Sequence, residues 1–119
     1  MTRLFSLLAL ALVIASPAAA DFSPIRDRGV FLSTVEGRTL AIPLFGISLA
    51  VGADGSIGGT AQGEQVTGSW SWQDGYFCRT LSWGSRSWPQ NCQLVEVDGS
   101  RLRFTADQGQ GDTARFTIR

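Results

Sequence analysis

From residue 38 onward, short segments of strand-forming, largely apolar residues are separated by polar turn residues. The segments are rich in Val, Ile, Thr, Phe and Trp, with a break roughly every ten to twelve residues, as in all-β sandwiches and barrels. The pattern predicts eight short strands, at residues 38–43, 46–52, 56–62, 65–73, 76–83, 92–97, 101–107 and 114–118.

An Asp-Gly pair separates neighbouring segments at three places, residues 54–55, 74–75 and 98–99. This dipeptide is the strongest short-range signal for a β-hairpin. Successive hairpins predict an antiparallel meander, and because open sheet edges invite aggregation, we expect the meander to close. The predicted fold class is therefore all-β, an up-and-down barrel of eight strands.

A different pattern precedes the strands. Ser23 is a candidate helix N-cap, Pro24 suits the first helical position, and Gly37 is a stop signal. Apolar residues between them recur at roughly helical spacing. The pattern predicts one short helix over about residues 24–35, which covers or plugs one end of the barrel.

The first twenty residues have the layout of a secretory signal peptide: Arg3, an apolar run at residues 4–14, and three alanines at residues 18–20. The run is too short to span a bilayer comfortably. A signal anchor is the alternative, but no stop-transfer pattern follows. We therefore expect a periplasmic or secreted single domain, residues 21–119, with no stable membrane insertion after signal cleavage.

Cys78 and Cys92 are the two cysteines of the chain. In an oxidising compartment, two cysteines in a small secreted domain are most simply interpreted as one disulfide bond. A redox or metal-binding pair is the alternative, but the spacing is not C-x-x-C and the chain contains no histidine. The sequence therefore predicts a structural disulfide and no metal site.

The hairpin around residues 74–75 can adopt two registers. A three-residue turn at residues 73–75 would place Trp72 opposite Tyr76 and Trp70 opposite Cys78, so that both tryptophans pack over the disulfide. We favour this register because Asp before a left-handed Gly suits it and because cysteine prefers burial.

The second register has a two-residue turn. It would pair Trp72 with Phe77 and Trp70 with Arg79, and Cys78 would point away from the tryptophans. In either register Trp70 and Trp72 are predicted to belong to the core, since each can bury on the order of 200 Å² in a small domain.

The segment between the cysteines, RTLSWGSRSWPQN, is expected to be a polar loop tethered at both ends by the disulfide. Trp83, Arg86 and Trp88 are the candidate binding residues, because rigid aromatics and arginine dominate binding energy. Tyr76 and Arg79 are predicted as their neighbours in the site. The alternative is that the two tryptophans fold back over the barrel mouth.

Composition excludes several functions. Without Arg3, nine arginines face ten carboxylates, so the excess of positive charge that drives nucleic-acid binding is missing. With neither histidine nor lysine, the chain has no Ser-His-Asp triad, Schiff base or phosphate-loop lysine. Several carboxylates sit in predicted turns, where local hydrogen bonds account for them. We expect no catalytic residues and no cofactor.

The motif G-x-W-x-W-x-D-G-x-F-C-R at residues 68–79, with residues 91–95, 103–104 and 114–116, resembles an uncharacterised family of small secreted alphaproteobacterial proteins. Members of that family often carry the automatic label dihydrodipicolinate reductase. That reductase is a cytoplasmic enzyme that needs a Rossmann glycine-rich loop, histidine and lysine. Since this chain has none of these parts, the label does not transfer.

The sequence thus favours a small binding module that holds a small apolar ligand or a protein partner. The alternative is an interaction or inhibitor protein of the cell envelope, in which the barrel is solid and the aromatic loop inserts into a partner. An open apolar cavity would favour the first hypothesis, and a filled interior would favour the second.

Overall fold

The computed structural model describes residues 21–119, and the predicted signal peptide, residues 1–20, lies outside the described residues. The chain forms a closed antiparallel β-barrel of eight strands, with a short helix and an additional strand before it. The elements in chain order are β1 (Ser23–Ile25), α1 (Arg28–Val35), β2 (Leu40–Ile42), β3 (Ile47–Val51), β4 (Ser56–Ala61), β5 (Glu64–Gln73), β6 (Tyr76–Trp83), β7 (Arg86–Asp98), β8 (Arg101–Thr105) and β9 (Thr113–Ile118). A single helical turn, Ala106–Gly109, follows β8, and Asp107 and Gln108 within it have positive φ angles.

The barrel has the predicted up-and-down topology. Each strand from β2 to β8 pairs with its successor, and β9 pairs with β2 to close the sheet. The all-β prediction and all eight predicted strands are confirmed. The additional strand β1 pairs with the end of β7, where Ile25 lies opposite Val95.

The start of the helix differs from the prediction. Helix α1 begins at Arg28, and its N-cap is Asp27, whose carboxylate accepts a hydrogen bond from the Val30 amide at 3.0 Å. The predicted cap Ser23 and the following Pro24 lie in β1 instead. The physical reason is that residues 23–25 extend the sheet along β7, which satisfies their backbone groups outside a helix.

The β5–β6 hairpin has the two-residue register, so the favoured three-residue turn was wrong. Asp74 and Gly75 both have positive φ angles, 52° and 81°. This is the conformation that a type I′ turn requires, and its twist matches that of the flanking strands. Trp72 consequently lies opposite Phe77, and Trp70 lies opposite Arg79.

An aromatic cluster fills the end of the barrel that α1 covers, which we call the closed end. At its centre Phe31 is completely buried, with its ring centroid 5.5 Å from that of Trp70, 5.0 Å from Trp72 and 5.1 Å from Phe77. The Trp70 indole nitrogen donates to the Gly52 carbonyl at 2.8 Å. The prediction that Trp70 belongs to the core is confirmed, and the partly buried Trp72 packs against the same cluster.

The disulfide between Cys78 and Cys92 is present, and the two residues are directly paired across β6 and β7. Since side chains alternate along a strand and Phe77 and Arg79 face the interior, Cys78 points to the outer surface. It is nevertheless only 1% exposed. The favoured register had implied that the two tryptophans pack over the disulfide. They do not, because they lie on the opposite face of the sheet.

The segment between the cysteines is a hairpin rather than a polar loop. Strand β6 continues to Trp83 and β7 begins at Arg86, so that residues 84–85 form the turn. A β-bulge interrupts the pairing, because Arg79 lies opposite Asn91 whereas Leu81 lies opposite Trp88. Because of the extra residue, the β7 side chains before the bulge, at residues 86–88, face the side opposite to the one that uninterrupted alternation would give them.

The opposite end of the barrel, which we call the mouth, is formed by this hairpin turn, by residues 62–63 and by a single 3-10 turn, Pro43–Phe45. In the barrel wall next to the mouth, the backbones of β3 and β4 approach each other closely at Gly59. A Cβ atom on Gly59 would collide with the backbone of Ser48, and Gly59 has a φ of 139°. Glycine at this position therefore allows strands β3 and β4 to curve around the interior.

We expect Phe31→Ala to lower the free energy of unfolding by about 3–5 kcal/mol, because it removes a buried aromatic ring and leaves a cavity. Val30→Ala is the matched control in the same helix, since Val30 is largely exposed and its substitution should change stability by less than about 1 kcal/mol. Urea unfolding followed by circular dichroism measures both. Equal losses would contradict the assignment of Phe31 as the centre of the core.

We expect the double substitution Cys78→Ala with Cys92→Ala to lower the free energy of unfolding by about 3 kcal/mol, the loop-closure value for a short loop. The two cysteines are 14 residues apart. Unfolding of the variant is compared with unfolding of the parent in the presence and absence of a reductant. A variant as stable as the oxidised parent would show that the cross-link has no stabilising role.

Candidate functional site

The mouth opens into an apolar cavity of about 330 Å³. This volume lies in the range of roughly 300–1,000 Å³ that small-molecule sites occupy. The cavity is lined almost entirely by aliphatic and aromatic side chains: Phe45, Ile47, Leu49, Ala61, Val66, Leu81, Trp83, Trp88 and Phe116, together with Gln62.

A second cavity of about 150 Å³ lies deeper, between the mouth cavity and the aromatic cluster. Leu49, Leu81 and Phe116 line both cavities, so the two share a wall. The deeper cavity differs in polarity, because Arg79 and Gln93 line it among apolar side chains. The barrel interior is therefore filled at the closed end, partly polar at its middle and apolar at its mouth.

Two tryptophans reach the mouth cavity by different routes. Trp83 follows the inward alternation of β6, and its indole nitrogen donates to the Ala61 carbonyl at 2.9 Å, which fixes the ring against β4. Trp88 would face outward if β7 alternated without interruption, since Gln93 faces inward. The bulge next to Pro89 turns Trp88 into the cavity, while 41% of its surface stays exposed.

Arg79 has an unusual environment for a charged residue. Its neighbours on the interior face include Phe77, Leu81 and Trp70, the residue paired with it on β5. Burial among these groups lowers the pKa of the Arg79 guanidinium from its usual value. The guanidinium remains a cation at physiological pH, because the usual pKa of an arginine lies far above physiological pH.

Within residues 21–119 the Arg79 guanidinium has neither an ion pair nor a side-chain hydrogen bond, whereas Arg103 is paired with Glu96 at 2.9 Å. In the same residues, every fully enclosed side-chain nitrogen or oxygen has a hydrogen-bond partner. The donors of Arg79 must therefore keep access to solvent, and the deeper cavity that Arg79 lines provides it.

The structure brings together three of the predicted site residues, namely Trp83, Trp88 and Arg86. The Arg86 guanidinium lies 5.6 Å from the Trp83 ring centroid, at the exposed outer rim of the mouth. Arg79 lies deeper in the same interior. Tyr76 lies apart from them at the closed end, where Arg26 stacks on its ring at 4.5 Å.

Sequence reasoning missed Phe45, Gln93 and the aliphatic wall of the cavity. Phe45 and its neighbour Leu44 are 55% and 86% exposed, and they form an apolar rim that no alternation pattern indicated. For the interior charge a signal existed: Phe77, Arg79, Leu81 and Trp83 occupy every second position of β6. An arginine within such an apolar series indicates a charge that faces the core.

Within residues 21–119, no helix has the length and the apolar character that a membrane-spanning helix needs. The same part contains no group of three or more acidic or cysteine side chains placed to hold a metal ion. Neither cavity is lined by a carboxylate from these residues.

Comparison with known proteins gives no family assignment. No protein-family model matches the chain, and neither the curated proteins nor the solved structures contain a significant match. The resemblance to small secreted alphaproteobacterial proteins therefore stays an expectation from the motif alone.

We expect Arg79→Met to raise the free energy of unfolding by about 1 kcal/mol, because it removes a partly buried charge without a protein partner and keeps a side chain of similar length. Arg101→Met is the control, since Arg101 is exposed and its substitution should change stability by less than about 0.5 kcal/mol. Thermal and urea unfolding measure both variants. A clear loss of stability in Arg79→Met would show that the guanidinium supports the fold.

Proposed function

We propose that residues 21–119 form an extracytoplasmic binding module that holds a small apolar ligand inside the barrel. The observation that carries the proposal is the apolar cavity of about 330 Å³ that opens at the mouth. Protein interiors are packed to the density of organic crystals, so a space of this size costs contacts that a folded chain would otherwise make. A ligand that fills the space restores those contacts.

The residues at the mouth suit entry of an apolar molecule. Phe45 and Trp88 line the cavity and are also partly exposed, so a ligand can contact them before it is enclosed. Trp83 is held in place by its hydrogen bond to Ala61, which provides a rigid aromatic wall at little conformational cost. The candidate residues Trp83 and Trp88 thus become part of the ligand cavity.

The disulfide supports the extracytoplasmic part of the proposal. Disulfides persist in oxidising compartments and are rare in the cytosol. The bond between Cys78 and Cys92 joins the two strands whose hairpin forms one side of the mouth. It is expected to keep this hairpin in register while a ligand enters.

The alternative function, an envelope interaction or inhibitor protein, predicted a solid barrel and an exposed aromatic loop. The cavity and the inward direction of Trp83 and Trp88 favour the ligand-binding hypothesis over it. Arg86, which is exposed at the rim, is the candidate that remains available to a protein partner.

The test uses N-phenyl-1-naphthylamine, an uncharged dye that fluoresces in apolar sites, with protein from which lipids have been extracted. We expect saturable binding at one site per chain. Val66→Phe should weaken binding at least tenfold, because Val66 lines the mouth cavity and the added ring occupies it. Thr67→Phe is the matched control, since Thr67 is exposed on the same strand and should leave dye binding unchanged.

Circular dichroism and thermal unfolding test whether both variants are folded. If Val66→Phe does not fold, Ile47→Phe replaces it, because Ile47 lies at another position in the cavity wall. Absence of saturable dye binding by the parent protein would overturn the proposed function. Equal weakening by Val66→Phe and Thr67→Phe would place the dye outside the barrel.

A further inference from the structure

We infer that the ligand is a single-chain amphiphile with a carboxylate head, a molecule of the fatty-acid class, and that Arg79 with Gln93 binds its head group inside the barrel. This inference rests on the proposed function and specifies the chemistry of the ligand. It follows from three observations: the position of Arg79, its lack of a protein partner, and the gradient of polarity along the interior.

The position of Arg79 places a positive charge at the inner end of an apolar passage. Arg79 and Gln93 line the deeper cavity, and the apolar mouth cavity begins at the shared residues Leu49, Leu81 and Phe116. A ligand that matches this order has one polar end, which enters first, and an apolar body that follows. A purely apolar ligand would displace water from the guanidinium and offer it no hydrogen-bond partner in exchange.

The charge of the site selects an anion. A guanidinium presents its donors in a planar fork that matches a carboxylate in a bidentate arrangement. The Gln93 side chain is buried and lines the same cavity, and its amide group can donate a further hydrogen bond to a carboxylate oxygen. No carboxylate of residues 21–119 lines either cavity to compete for the guanidinium.

The size of the passage limits the tail. From Arg79 to Trp83 the strand β6 advances four residues, which is about 13 Å at the usual strand rise. Apart from Gln62, the side chains that line the mouth cavity are aliphatic or aromatic. A flexible medium-length hydrocarbon chain fits such a passage, whereas a lipid with two long tails exceeds the cavity volumes of about 150 and 330 Å³.

The test compares laurate with dodecanol, which has the same tail length and no charge, by displacement of N-phenyl-1-naphthylamine below the concentrations at which the amphiphiles form micelles. We expect laurate to bind the parent protein about tenfold to hundredfold more tightly than dodecanol, the ratio that corresponds to hydrogen bonds with a charged group. In Arg79→Met the ratio should fall to about one. Arg101→Met should keep the ratio of the parent, because Arg101 is exposed.

Dodecyl phosphate and dodecyltrimethylammonium complete the series. We expect the cationic amphiphile to bind more weakly than dodecanol, because its head group would meet the Arg79 charge. Tighter binding of dodecyl phosphate than of laurate would assign the site to phosphate esters and overturn the carboxylate inference. A laurate-to-dodecanol ratio near one in the parent, or a ratio retained in Arg79→Met, would also overturn it.

The outcomes separate this inference from the proposed function. Binding of the dye and of dodecanol without a preference for laurate would leave the proposed function intact and overturn the head-group assignment alone. Gln93→Leu gives a second readout that does not remove the charge, and it should lower the ratio by a smaller factor than Arg79→Met. If Arg79→Met does not fold, the laurate-to-dodecanol ratio of the parent protein and its change in Gln93→Leu decide the inference.

Discussion

The packing of Phe31 against the aromatic side chains of the barrel determines how the interior is divided. This ring comes from α1, before the first barrel strand, and contacts Trp70, Trp72 and Phe77, which belong to β5 and β6. One end of the barrel is thereby filled by residues distant in sequence. At the other end the large side chains Phe45, Trp83, Trp88 and Phe116 line the wall instead of meeting at the centre, and an open apolar space remains between them.

The overall fold could be predicted because it depends on short-range signals. The strand-forming composition of the segments from position 38 onward and the Asp-Gly turns between them predicted eight strands and their order. The two registers of the β5–β6 hairpin could not be separated in this way, since Asp before Gly suits both turns. The decisive factor was that positive φ angles at both Asp74 and Gly75 give a turn whose twist matches the strands.

The site was less predictable, because it depends on contacts between segments far apart in sequence. Trp83 and Trp88 were identified by their type, but the direction of Trp88 depends on a bulge whose position composition does not reveal. Phe45 enters the site through a 3-10 turn between β2 and β3. Arg79 was identified as a neighbour of the site, but the favoured three-residue register placed its side chain outside the barrel, and the observed two-residue register places it inside.

The extension of β7 beyond its neighbour β8 has a consequence for self-association. In the described part of the chain, residues 86–93 pair with β6 on one side, while pairing with β8 begins at Leu94. On this second side Asn91 exchanges hydrogen bonds with Asp107, which leaves residues 86–90 as the unpaired part of the edge. A free strand edge can add a strand from another molecule and start a polymer. Pro89 offers no amide donor to such a strand, and the adjacent bulge and Arg86 disturb a continuous ladder. The strand that forms the entrance thus also contains the features that oppose polymerisation along its edge.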